Sequence, residues 1–205
     1  MDLRNKIVSQ FAKPTGMAGW MAGHLMAMRN GNRSMWVFSL LDLKPTDRVL
    51  EIGFGPGADI ARASAAAAFV AGVDHSDVML EQASRRNTQA VREGRVKLQL
   101  GSAVQLAFPD SQFDKVFAIN SAQFWKEMPK ALLEISRVLK PDGWLALAVQ
   151  PRSKNATDET ARQVGISLSK SMIAAGFEEV HSEFHEMRPV ATVCVLGRRA
   201  GSRSG

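Results

Sequence analysis

The chain has 205 residues, 45% of them hydrophobic and 22% charged, which is enough for one sizeable core and a single domain. It contains no tyrosine and a single cysteine, Cys194. Those counts exclude the phenol-based proton relay of many small nicotinamide-dependent reductases, internal disulfides, CxxC redox chemistry, multi-thiolate zinc sites and cysteine-ligated iron–sulfur clusters, and they point to a reducing cytoplasm. The net charge of +6 suits an anionic partner such as RNA or a membrane surface, but the excess is scattered. Arg198, Arg199 and Arg203 fall in a basic tail, residues 198–205, while Arg85, Arg86, Arg92 and Arg95 surround one predicted helix that also carries Glu81 and Glu93. The N-terminus leads into no apolar stretch of signal-peptide length, and nothing later approaches a membrane span.

Met17, Met21, Leu25 and Met28 recur at helical spacing; Asn30-Gly31-Asn32 predicts a break, and Trp36, Leu40 and Leu43 resume the period. Pro45-Thr46-Asp47 closes this helical section, residues 1–44. Short apolar runs then alternate with helical patterns. Val49 to Ile52 predicts a strand, followed by glycines and an Ala-rich helix to about Ala67. Phe69 to Val73 predicts the next strand, Asp77 to about Val91 a helix, Val96 to Leu100 a third strand and Lys115 to Ile119 a fourth. Met128, Leu132, Ile135 and Leu139 stripe a helix expected to stop at a Lys140-Pro141-Asp142-Gly143 turn, before a fifth strand from Trp144 to Val149. A helix carrying Val164, Leu168 and Met172 ends at Gly176. Two last strands, about Phe177 to Phe184 and Val190 to Leu196, are joined too closely for a parallel crossover and are expected to pair antiparallel. This grammar predicts a three-layer α/β sandwich.

The richest segment is Glu51-Ile52-Gly53-Phe54-Gly55-Pro56-Gly57. Alternate glycines after a buried strand let the backbone turn tightly and approach a ligand, so a nucleotide-type cofactor is expected over the strand's carboxyl end. The glycines alone leave a dinucleotide open, since Ala58 supplies the small third residue. Pro56 argues against it, because it removes an N–H from the turn that would bind a pyrophosphate. Asp74, 21 residues after Gly53, stands where a ribose-binding carboxylate belongs, and Glu51 adds a second acid to the same cleft. Separately, an Asp opening a helix and a Glu ending a strand are ordinary; together with three glycines they suit an amino-acid-bearing nucleoside.

These residues resemble motif I and the acidic motif of class I S-adenosylmethionine-dependent methyltransferases, the second in Gly72-Val73-Asp74-His75-Ser76. Phe108-Pro109-Asp110-Ser111-Gln112-Phe113-Asp114 and Arg137-Val138-Leu139-Lys140-Pro141-Asp142-Gly143 resemble later landmarks, notably of the ubiquinone/menaquinone-biosynthesis, type 11-like group. The resemblance spans roughly residues 45 to 197. It implies a Rossmann-like sheet of seven strands, mostly parallel with the last antiparallel, and S-adenosyl-L-methionine as cofactor with S-adenosyl-L-homocysteine as product. It also implies Glu51, Gly53, Phe54, Gly55 and Gly57 near the methionine part, Asp74 on the ribose, His75 flanking the adenosine, and Ser102 and Ala103 beside adenine. The resemblance also places Asn120 and Ser121 at the mouth beyond the fourth strand, and implies Asn120 as both a cofactor-binding and a catalytic residue. Many relatives carry Asp where this chain has Ser102. Asn120-Ser121-Ala122-Gln123 lacks the Asn/Asp-Pro-Pro-aromatic sequence of amino-methylating nucleic-acid enzymes, which argues against base methylation.

Displacement at a sulfonium needs an aligned nucleophile more than a strong catalytic group, although a base helps a phenol, acidic carbon or protonated amine. His24, on the side of the first helix that carries Met21 and Met28, is the candidate base; a histidine packing that helix reads equally well. His181 and His185 alternate with apolar residues and are expected to face solvent. Six of the ten methionines lie in the first 35 residues, suiting either a lid moulded to an apolar substrate or plain packing. Met21, Met28, Trp36, Ser121, Phe124 and Trp125 are the candidate substrate residues. The expected acceptor is a small molecule, aromatic or quinone-like. RNA or protein methylation and a non-catalytic cofactor-binding homologue are the alternatives.

Overall fold

The computed structural model describes residues 31–201. The expected base His24 and the expected substrate residues Met21 and Met28 lie outside the described residues. Seven strands, β1 (Arg48–Ile52), β2 (Phe69–Asp74), β3 (Val96–Leu100), β4 (Phe113–Ile119), β5 (Leu139–Val149), β6 (Phe177–His185) and β7 (Thr192–Arg199), form one sheet in the order β3-β2-β1-β4-β5-β7-β6. The first five run parallel and β7 pairs antiparallel with both β5 and β6. The helices are α1 (Gly31–Leu41), α2 (Ala58–Ser64), α3 (Asp77–Arg86), α4 (Thr88–Arg92), α5 (Met128–Val138) and α6 (Asp158–Ala174). This is the expected Rossmann-like three-layer architecture.

Successive residues of a strand point to opposite faces, so each inner strand feeds two cores. Leu50 and Ile52 pack with Leu132, Ile135 and Val138 of α5 and Leu168 and Met172 of α6. Val49 packs on the other side with Val37, Phe38 and Leu41 of α1, Ile60 of α2 and Ala83 of α3. Cys194 of β7 is completely buried and free, and burial pushes its thiol up to about 12. Among the described residues no helix is long and apolar enough to cross a membrane.

Three local expectations are corrected. Gly31 and Asn32 of the expected Asn30-Gly31-Asn32 break already belong to α1, whose buried residues are Arg33, Ser34, Val37, Phe38 and Leu41, while Trp36, Leu40 and Leu43 are partly buried against the same core. The helix expected from Asp77 to Val91 divides at Asn87, whose side chain leaves the helix to hold the glycine loop, donating to Gly57 O at 3.0 Å. Lys140-Pro141-Asp142-Gly143 is a bulge within β5: Phe113 pairs with Leu139 and Lys115 with Trp144, so these residues stand opposite Asp114 alone. Lys140 Nζ closes the bulge on Asp114 Oδ1 at 2.7 Å.

Candidate active site

The strand order reverses between β1 and β4, so the loops that follow them diverge and leave a crevice at their carboxyl ends. Here it is a cleft of about 700 Å³. One wall is the glycine loop, where Gly53, Gly55 and Gly57 all take positive φ (82°, 52° and 74°). At Gly53 a Cβ would stand 2.4 Å from Ser121 Cβ, because the tips of β1 and β4 touch there and Ser121 Oγ donates to Ile52 O at 2.6 Å. Gly53→Ala therefore meets both a backbone penalty and a clash, together about 2–4 kcal/mol. A large fall in the thermal midpoint, with loss of cofactor binding, is the expected result in a thermal-shift titration. Gly57 does not line the cleft; it caps α2 and lies against Ala83 and Asn87 of the α3–α4 corner.

Asp74, Glu51 and Asp59 share this end of the sheet, and Glu127 also lines the cleft. Asp74 is buried, and each of its oxygens accepts a main-chain N–H: Oδ2 from Gly55 at 2.9 Å and Oδ1 from Ser76 at 3.0 Å. Burial raises its pKa against the pull of these bonds. A carboxylate has about four lone-pair directions, so both oxygens retain capacity for hydroxyl donors. Glu51, only 2% exposed, has Oε2 without a partner among the described residues. Burial first, then the charges of Asp59 and Asp74, hold its carboxyl well above the usual range, with Arg62 opposing. Asp59, in the first turn of α2, is bound to Arg62 at 2.7 Å and also lines the cleft. His75 is half exposed on the rim, with Nδ1 3.6 Å from Asp74 Oδ1.

The loop after β3 brings Gly101, Ser102, Ala103 and Val104 to the opposite side. It is held from behind by α5: Leu106 N–H donates to Glu134 Oε2 at 2.8 Å, and Arg137 donates to Leu106 O at 2.9 Å and Phe108 O at 2.8 Å. The Phe108–Asp114 and Arg137–Gly143 landmarks thus work as scaffold for that wall. Beyond β4, Asn120 sits at φ 54° and its Oδ1 accepts Gln150 N–H at 2.8 Å, while its buried Nδ2 has no partner among the described residues. Ser121, Phe124 and Trp125 complete the mouth, Phe124 being half exposed. Trp36 is not among the described residues lining the cleft; it stacks on His185 of β6, ring centroids 5.1 Å apart. His181 is exposed, set edge-on to Trp144.

Three residues that matter here were not singled out as site residues by sequence. Asp59 had a signal, an acid in the first turn of the helix behind a glycine loop. Gln150 is expected from sequence only as one residue of the loop after the fifth strand, with Pro151 and Arg152, that helps select the acceptor, and Arg33, a buried cation in a helix with no acidic neighbour in its first turn, gave no signal.

Among the described residues, a carboxyl oxygen of Glu51 on β1 and the amide N–H₂ of Asn120 just after β4 have no partner and complement the ammonium and carboxylate of an amino acid, and Asp74 at the end of β2, across β1 from Asn120, complements a ribose. The residues present fit S-adenosylmethionine. Residues 50–147 match the family described as a methyltransferase domain. Over 180 residues the chain is 33% identical to an uncharacterized methyltransferase, YdaC, of Bacillus subtilis, covering 87% of this chain and 97% of that protein. The chain belongs to the class I S-adenosylmethionine-dependent methyltransferases. The methyltransferase is also 38% identical over 104 residues to a demethylmenaquinone methyltransferase of Symbiobacterium thermophilum, covering 49% of this chain and 41% of that one. It thus spans less than half the length of that relative. Its fold superposes on a Haemonchus contortus phosphoethanolamine N-methyltransferase solved with S-adenosylhomocysteine, with a TM-score of 0.68 at 17% identity, over 84% of this chain and 53% of that one.

Proposed function

We propose that this methyltransferase acts in the cytoplasm on a small-molecule acceptor, aromatic or quinone-like. The observation that carries the reading is the apolar mouth: Phe124 and Trp125 border the cleft, and Phe124 leaves about half its surface exposed beside it. A half-exposed phenylalanine at a cleft entrance is a stacking surface for a flat apolar molecule. The quinone-type substrate in the name of the Symbiobacterium thermophilum relative supports the same class. When bound, S-adenosylmethionine supplies a methyl group on a positively charged sulfur.

The chain's own residues bind, orient and exclude water. Asp74 takes the ribose hydroxyls, Glu51 the ammonium, and Ser102 and Ala103 border the base. His75 flanks the adenosine, Phe54 lies with the glycine loop near the methionine part, and Asn120 and Ser121 stand at the mouth. Residues 45–197 form the catalytic core, and the segment before it contributes to acceptor selection.

The surface charge gives RNA no focused footprint in the described part. Arg198 is bound to Asp142, Glu178 and Glu179, Arg85 to Glu81 and Arg95 to Glu93. The test is transfer of a labelled methyl group into a fractionated cell extract. Label recovered in an apolar metabolite, identified by mass, is the expected result; label confined to RNA or protein overturns it.

A further inference from the structure

Asn120 leaves β4 in the left-handed region, which costs energy for any residue but glycine and persists only where neighbours over-determine it. Its carboxamide orientation follows from chemistry: a main-chain N–H can only donate, so the atom facing Gln150 N at 2.8 Å is Oδ1, and Nδ2 is the end left without a partner among the described residues. Gln150 is in turn fixed at both ends of its buried side chain. Nε2 donates to Val190 O at 2.6 Å, and Oε1 accepts Nη2 of Arg33. Arg33 is 2% exposed and also donates from Nε to Thr192 Oγ1 at 3.3 Å, so one guanidinium joins the first turn of α1 to the end of β5 and the start of β7. Burial, with the charge of Arg152, brings its pKa down to about 10, with Asp59 opposing, and it stays charged at neutral pH. A planar five-donor fork serves two acceptors at once, which a lysine ammonium does with less geometric control.

We propose that Arg33 and Gln150 are positioning residues for the Asn120 carboxamide, whose Nδ2 donates to an oxygen of the ligand held in the cleft. That oxygen is either the amino-acid carboxylate of the cofactor or a carbonyl or hydroxyl of the acceptor, both of which satisfy a neutral amide donor. The acceptor arm rests on the small-molecule reading above; the cofactor arm does not.

The test begins with the side-chain amide resonance of Asn120 in 15N-labelled protein, assigned by its disappearance in Asn120→Asp. A single slowly exchanging pair is expected in the native protein. Exchange accelerated roughly tenfold is expected in Arg33→Met, Gln150→Met and the milder Thr192→Val, which removes one Arg33 acceptor at nearly constant volume. Calorimetric titration with S-adenosylhomocysteine and with 5′-methylthioadenosine, which lacks the amino-acid group, separates the two oxygens. If the cofactor carboxylate is the partner, Asn120→Ala and Arg33→Met weaken the first by roughly tenfold and leave the second unchanged. If the acceptor is the partner, both affinities hold and kcat for the labelled-methyl acceptor falls, with partial recovery in Arg33→Lys. An Asn120 amide resonance unmoved in all three folded variants overturns the proposal, whatever happens to thermal stability. Failure of every small molecule to accept label overturns the acceptor reading while leaving the resonance and cofactor measurements decisive.

Discussion

Asp74→Ala is expected to weaken S-adenosylhomocysteine binding at least ~100-fold, measured by calorimetric titration. The carboxylate does two jobs at once. It holds Gly55 N–H and Ser76 N–H, which shape the turn of the glycine loop and the entry to α3, and it leaves lone pairs for the ribose. Hydrogen bonds to a charged group contribute about 1.5–3 kcal/mol each, and losing the pair to the ribose alone reaches that factor. Asp74→Asn separates the contributions. One carboxamide end keeps an acceptor, but the other presents N–H₂ to a main-chain N–H, so the asparagine variant should bind almost as poorly as alanine despite its equal size. Near-native affinity in Asp74→Asn would overturn this account, because neither the negative charge nor the second main-chain contact would then be needed for binding.

Binding of the cofactor is expected to release protons from the methyltransferase, and Glu51→Gln is expected to abolish most of the release. In the free protein, burial and the neighbouring Asp59 and Asp74 hold Glu51 protonated above the usual carboxylate range. A cationic ammonium brought against Oε2 favours the carboxylate, so the proton leaves as the ligand arrives. Affinity should rise with pH, by about tenfold per unit below the free-state pKa of Glu51, and level off above it. The sign for folding is opposite. A carboxyl with a raised native pKa favours the fold fully below the ordinary carboxylate pKa, and that contribution is lost as pH rises through its own higher value. The ligand-free protein should thus lose stability over the same range in which its affinity improves. Titrations in two buffers of different ionisation enthalpy check the release; equal apparent enthalpies in both would exclude Glu51 as the ammonium partner.

The elements that sequence located well are those governed by local rules. Gly53, Gly55 and Gly57 fall at positive φ because an L side chain is strained there, and a spacing of two after an apolar run carries that information by itself. The hairpin of β6 and β7 followed from the length of its connector. What escaped depends on partners distant in the chain. The inward face of α1 also carries a buried arginine whose partners lie 117 and 159 residues away, which apolar periodicity cannot reveal. The split at Asn87 depends on a carbonyl 30 residues earlier, and the β5 bulge on Asp114 of a neighbouring strand. The place of Asn120 beside the cleft was legible, but not the orientation of its amide, which Gln150 sets from another strand end.

Cys194 gives the molecule an internal clock. It is the sole thiol of the sequence, it is completely shielded between β5 and β6, and its pKa near 12 leaves almost no thiolate at neutral pH. A thiol reagent must wait for β7 to come free of both neighbours, so the labelling rate counts opening events of the sheet. Any molecule that binds only the folded cleft slows that count in proportion to its saturation. Ligands of this methyltransferase can therefore be ranked by alkylation of one atom, before any acceptor is known and without observing a single turnover.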